Sequence, residues 1–170
     1  RLEETAPDQV ILTGSHMDSV PQGGNYDGLA GVIAGLVLLI DIQRSGHAPK
    51  IPLQVIGIRG EESAWFGQTY VGSKALLGLL DPSAFDAERR VTGKPLRTYL
   101  ERIGADVAAI ANGEPLIDPS GIRMFLELHI EQGPVLVSRD LPLGIVTGIR
   151  GNVRYRIVRC VGESGHSGAV

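Results

Sequence analysis

The sequence predicts an α/β fold: a mostly parallel sheet with flanking helices over residues 1–148, then the opening of a second, strand-rich segment over 149–170. Three observations lead there. Short apolar runs closed by glycine or serine alternate with helical stretches up to about residue 130, the pattern of a largely parallel sheet. The first helical stretch is apolar almost all round, as a centrally placed helix is. After residue 148 the alternation gives way to strands alone, which puts a domain boundary near 149–152.

In chain order, VILTGS (10–15) reads as a buried strand, and a loop of about a dozen residues follows. Residues 28–44 form a helix in which Gly31 and Gly35 share a face and allow close approach to a sheet; Gly46 and Pro49 end it. PLQVIGIR (52–59) is the second strand. A helix is expected over 66–80, with Val71, Ala75, Leu76 and Leu79 on one side, and two or three short helices over 82–113, PLRTYLERIG being the clearest. RMFLELHI (123–130) is a third strand, and LGIVTGI (143–149) and VRYRIVRCVG (153–162) are two more.

Composition narrows the function. A formal net charge of −3 with scattered lysines and arginines gives no nucleic-acid footprint. The single cysteine, Cys160, permits no internal disulfide and no CxxC metal knuckle, so a reducing, cytoplasmic setting is expected. The longest apolar run, LAGVIAGLVLLI (29–40), is well short of the roughly 20 residues of a membrane span, and no signal peptide is recognised ahead of it. A start at RLEET and a stop at GHSGAV point to a fragment of something longer.

Four spots at predicted strand ends carry chemistry, where open α/β sheets place their ligands. His16-Met17-Asp18 offers an imidazole with a carboxylate to steady it; a solvated loop pair is the alternative. Asp27, in GGNYDG, is either the N-cap of the following helix, a metal ligand, or both. Glu61-Glu62 precede Ala64, Trp65 and Phe66. Two acids beside an apolar wall suit a pocket in which one binds metal and the other acts as a general base, whereas a solvated acidic loop is the plainer reading. His129 lies near the end of the apolar run FLELHI, as a ligand or as a hydrogen-bonded core histidine. Taken together, nitrogen and oxygen ligands of this mix suit zinc, cobalt or manganese better than magnesium or calcium. An aspartate between two half-sites can bridge two metals about 3.5 Å apart.

GSHMDSVPQGGNYDG, RGEESAWFGQTYVGSKALLG and ELHIEQGP resemble the hydantoinase/carbamoylase family of amidases, within the superfamily of di-zinc aminoacylases and carboxypeptidases. Order and spacing agree: 11 residues from His16 to Asp27, 35 on to Glu62 and 67 on to His129. The resemblance implies a di-zinc exopeptidase-like catalytic domain over 1–148, present in part, and the start of an α+β lid and dimerisation domain over 149–170. It implies that His16 and His129 bind one of two divalent ions (zinc, manganese or cobalt), Asp27 bridges, Glu62 binds the second ion, Glu61 is the general base and Asp18 orients His16. Gln132 resembles a substrate-contacting glutamine. GESGHSGAV resembles the family's lid motif, which makes His166 a catalytic and substrate-binding lid residue that reaches a partner subunit's site in a homodimer. Gly165 replaces the usual asparagine there, Ala169 the common threonine, and Trp65 narrows the pocket. His47 matches no motif and reads as solvent-exposed.

The activity implied is metal-dependent hydrolysis of the C–N bond in an N-carbamoyl (ureido) amino acid or related linear amide, with no nucleic-acid or membrane partner. The alternatives are an aminoacylase or dipeptidase of the same superfamily, or an inactive truncated fragment. A further metal-binding histidine that the family carries near its C-terminus has no counterpart here. The isolated chain is therefore expected to bind at most one ion tightly, at His16, Asp27 and His129, and to be inactive on N-carbamoyl amino acids.

Overall fold

The computed structural model describes residues 9–46, 48–149, 151, 158–159 and 161–163. The chain divides into two compact units, Arg1–Gln132 and Gly133–Val170. The first unit holds a three-stranded parallel sheet in the order β2-β1-β3.

The central strand β1 (Val10–His16) is the first apolar run of the sequence, and its last four residues are buried. It pairs with β2 (Leu53–Ile58) from Ile11↔Leu53 to His16↔Ile58 and with β3 (Ile122–Leu126) from Val10↔Ile122 to Thr13↔Leu126. Between β1 and β2 runs α1 (Leu29–Ser45), which ends at Gly46 in the left-handed conformation that glycine adopts without strain. The two helix glycines behave as their spacing foretold. A Cβ on Gly31 would come within 2.7 Å of Ser15 Cβ, and one on Gly35 within 3.1–3.2 Å of Val55 and Thr13, so α1 lies against the sheet closer than a larger residue allows.

The link from β2 to β3 folds into α2 (Val71–Leu76), a 3₁₀ turn (Pro82–Asp86), α3 (Leu96–Arg102), α4 (Val107–Ala111) and a second 3₁₀ turn (Pro119–Gly121). The hydrophobic core lies here. Phe85 and Ile110 are almost wholly buried, with Val71, Ala75, Leu80, Ala84, Leu96 and Leu100 around them. Asp81, Asp106 and Asp118 cap their turns by accepting backbone N–H bonds from Ser83, Ala109 and Ser120. In the second unit, α5 (Val135–Ser138) is a single turn that the sequence did not announce.

The parallel α/β class is as expected; several elements differ. The helix expected over 66–80 is only Val71–Leu76, because Tyr70 takes a left-handed φ of 59° and Gly67 and Gly78 break it on either side. The third strand stops at Leu126 rather than 130. Residues 143–149 form no strand: a strand exists only where its N–H and C=O groups pair with a neighbour, and no described ladder takes these up, leaving Ile145, Val146 and Ile149 exposed. Helix α1 is central to the fold yet not covered all round. Gly31, Val32 and Gly35 are buried while Ile33, Leu36, Val37 and Ile40 are exposed. The strand expected over 153–162 and the lid motif lie largely outside the described residues. No described helix is long and apolar enough to cross a membrane.

Candidate metal centre

All three strands are parallel, so their carboxyl ends share one edge of the sheet, and the loops leaving that edge carry the candidate residues. His16 is the last residue of β1, Asp27 precedes α1, Glu61 and Glu62 follow β2, and His129 follows β3. Three of these side chains converge. Ligand atoms of His16, Asp27 and His129 all lie within 4.8 Å of one another. His16 Nε2 is 3.2 Å from His129 Nε2, and Asp27 Oδ1 is 3.7 Å from the first and 3.5 Å from the second.

The hydrogen bonds fix the chemistry of this cluster. His16 Nδ1 lies 2.6 Å from the backbone oxygen of Asp18, and His129 Nδ1 lies 2.8 Å from that of Ile130. A carbonyl only accepts, so each Nδ1 carries a proton, and in that neutral tautomer each ring turns a lone pair on Nε2 toward the other. The Asp27 carboxylate faces the same point with a side chain only 1% exposed. Gln132 Nε2 donates to its Oδ1 at 3.0 Å, while Oδ2 is buried with no donor. Two lone pairs and a buried carboxylate in contact repel one another unless a cation lies among them. Ligands 2.0–2.1 Å from a tetrahedral zinc are roughly 3.3 Å apart, close to the separations here. The donor set therefore fits a divalent ion, and the orphaned Oδ2 leaves the aspartate able to reach a second.

Local backbone choices make this convergence possible. Gly28, ahead of α1, has φ 64° and ψ −53°, and a Cβ there would fall within 2.5 Å of both His16 Cε1 and His16 O. The helix cap is Gly28 itself, with no side-chain cap. Asp27 thus does not cap α1, and its carboxylate is left for the cluster.

The other expected residues are arranged differently. The Asp18 carboxylate makes no hydrogen bond to the imidazole. Its Oδ1 accepts from the N–H groups of Gly60 (2.8 Å) and Glu61 (3.1 Å), and its Oδ2 from that of Glu62 (3.0 Å). It is the Asp18 carbonyl that holds His16, so one residue ties the histidine to the acidic loop. Glu61 accepts from Ser73 at both oxygens, from the backbone N–H at 2.7 Å and from Oγ at 2.8 Å. This satisfies the first turn of α2, whose N-cap Tyr70 offers no side chain. Glu62 is outside the group formed by His16, Asp27 and His129. Gln132 is held at φ 57° with its amide on Asp27. Trp65 lies against the Arg89 guanidinium at 5.1 Å, and Phe66 meets Tyr99 edge-on at 5.4 Å. His166 and His47 are outside the described residues. Sequence reasoning missed Ser73 and the pair Ser15–Glu127; an acid inside the apolar run FLELHI was the available signal for the latter. A cleft of about 400 Å³ opens at the far end of the sheet, beside Val10, Gln54, Asp118 and Ile122, but no metal-ligand cluster among the described residues lines it.

Fold and site together define a parallel α/β domain with a His–Asp–His group at the carboxyl edge of its sheet, able to hold a metal ion. The chain belongs to peptidase family M20/M25/M40, whose sequence pattern matches residues 12–165. It is 37% identical over 170 residues to an N-carbamoyl-L-amino acid amidohydrolase of Geobacillus stearothermophilus, covering 99% of this chain and 41% of that protein. It is also 37% identical over 163 residues to an allantoate amidohydrolase of Bacillus subtilis, covering 96% and 38%. A hydantoinase/carbamoylase family amidase from Burkholderia ambifaria shares the fold with a TM-score of 0.65 and 31% identity, over 79% of this chain and 32% of that one. The chain spans about two fifths of the length of the first two relatives.

Proposed function

We propose that the full-length gene product carrying this chain is a metal-dependent amidohydrolase that cleaves a C–N bond of N-carbamoyl amino acids or related linear ureido compounds. The observation that carries the reading is the convergence of His16, Asp27 and His129, in a chain similar to amidohydrolases of such substrates. An ion held by these residues supplies polarisation of the scissile carbonyl and of the attacking water. Asp27 is the bridging ligand and Glu62 the ligand of a second ion, the pair being zinc, manganese or cobalt. Glu61 is the general base. Its Ser73 bonds fix the carboxylate while each oxygen keeps a lone pair, so it takes a proton from the attacking water and returns it to the departing nitrogen. Asp18 sets the acidic loop, Gln132 contacts substrate as well as Asp27, and His166 belongs to a lid, beginning near 149, that closes over the site of the other subunit in a cytoplasmic homodimer.

The test is hydrolysis by the purified full-length protein. Turnover of an N-carbamoyl-L-amino acid or allantoate, stopped by a chelator and restored by zinc, manganese or cobalt, supports the proposal. Turnover of N-acetyl amino acids or dipeptides with no ureido hydrolysis assigns the protein to the aminoacylase or dipeptidase alternative.

A further inference from the structure

His16 ends β1 and His129 lies three residues beyond the end of β3, where backbone pairing no longer joins the two segments. The β1–β3 ladder ends at Thr13↔Leu126. Beyond it, Gly14, Ser15 and His16 pair with β2 alone, so no ladder bond holds residues 127–129 against β1. Side chains take over. Thr13 Oγ1 donates to the Leu126 carbonyl at 2.9 Å, and Ser15 Oγ donates to Glu127 Oε1 at 2.5 Å. Ser15 is 1% exposed, and a buried hydroxyl must find a partner; its partner is this carboxylate. Helix α1 packs against the same arrangement. A Cβ on Gly31 would clash with both Ser15 Cβ and the Leu128 carbonyl, so the helix backbone is seated against both.

We propose that Ser15 and Glu127 form a brace that sets the separation of His16 and His129, making both positioning residues for the metal centre. Ser15 immediately precedes one histidine, and Glu127 is two residues before the other. The inference rests on the reading of His16, Asp27 and His129 as metal ligands. Partners that orient ligands in this way typically account for about 10–100-fold in metal affinity.

The experiment is a Co(II) titration of the metal-free full-length gene product, followed by its visible absorption and by competition with a chromophoric chelator. The relevant site is identified as the component lost in His129→Ala. Ser15→Ala and Glu127→Ala are expected to weaken that site about 10–100-fold and alter its spectrum. Glu127→Gln, which keeps an acceptor oxygen for Ser15, is expected to retain the parental affinity and spectrum. The double Ala variant should be no weaker than either single variant, because the two residues make one bond. Glu127 is exposed, so its truncation carries the test even if the buried Ser15 variant fails to fold. Parental affinity and spectrum in Glu127→Ala, or additive losses in the double variant, overturn the brace alone. Absence of any Co(II) site in the parent overturns the metal centre and the brace with it.

Discussion

Gly28 is the position at which a single methyl group tests the site most sharply. Its φ of 64° with ψ of −53° is a conformation that L residues rarely adopt, and an alanine Cβ would fall within 2.5 Å of His16 Cε1 and of the His16 carbonyl oxygen. The backbone strain costs about 1–3 kcal/mol. Because one of the atoms met is backbone, the clash cannot be relieved by turning the ring alone, and overpacking adds about 1–3 kcal/mol. The loop supplies its own control. Gly24 has φ 80° but open space where an alanine methyl would sit, with no atom within 4 Å, so Gly24→Ala carries only the strain. Urea unfolding of the metal-free protein should therefore show Gly28→Ala about 1–3 kcal/mol less stable than Gly24→Ala. Metal affinity should fall in Gly28→Ala alone, because its methyl displaces His16. Equal stability and equal affinity in the two variants would refute the argument that Gly28 is required for the approach of α1 to His16.

Three other outcomes follow from the same geometry. If the proposed function holds, Glu61→Gln in the full-length gene product should keep its metal and lose about 10²–10⁴-fold in turnover, while Glu62→Gln should lose one ion; exchanged phenotypes, read by metal analysis and kcat, would reverse the two roles. Asp18→Ala strips the acceptor from three N–H groups and should cost about 1–3 kcal/mol, yet leave the His16–His129 ion bound because the Asp18 carbonyl remains; loss of that ion in a metal titration would restore the carboxylate as the group that orients His16. Hydrogen bonds from the Ser120 side chain and backbone hold the Asp118 carboxyl below its ordinary pKa of 3.8, so its contribution to stability is full above that value and is lost as the pH falls through the lowered one. Acid unfolding curves of Asp118→Ala should show a weaker pH dependence below about 3.8 than the parent, and identical curves would deny the cap its role.

The parts of this molecule that were legible in the sequence are those written in local pattern. β1, α1 and β2 are apolar runs separated by glycine and proline, and Gly31 and Gly35 declared a close helix–sheet contact by their spacing alone. His16, Asp27 and His129 stood out as polar residues near predicted strand ends and as parts of the motifs that carry the family resemblance, and the structure brings their side chains together. What escaped depends on contacts distant in the chain. The start of α2 is fixed by the left-handed Tyr70 and by a carboxylate from Glu61, so periodicity over 66–80 overstated it. The end of β3 is set by the handover from ladder bonds to Ser15 and Thr13 side chains, which no alternation of apolar residues reveals. Residues 143–149 have strand composition but no described neighbour to pair with. The direction of Asp18 was also not readable, since a loop carboxylate can as easily accept from backbone N–H groups as from an imidazole.

The central claim is that His16, Asp27 and His129 hold one ion together, and equilibrium metal binding tests it most directly. Chelator-stripped full-length gene product is titrated with Co(II) or Zn(II) beside His16→Ala, Asp27→Asn and His129→Ala, with circular dichroism confirming that each variant is folded. The account predicts that the same binding site disappears in His16→Ala and His129→Ala and is lost or greatly weakened in Asp27→Asn. Parental stoichiometry and affinity in all three folded variants would contradict it.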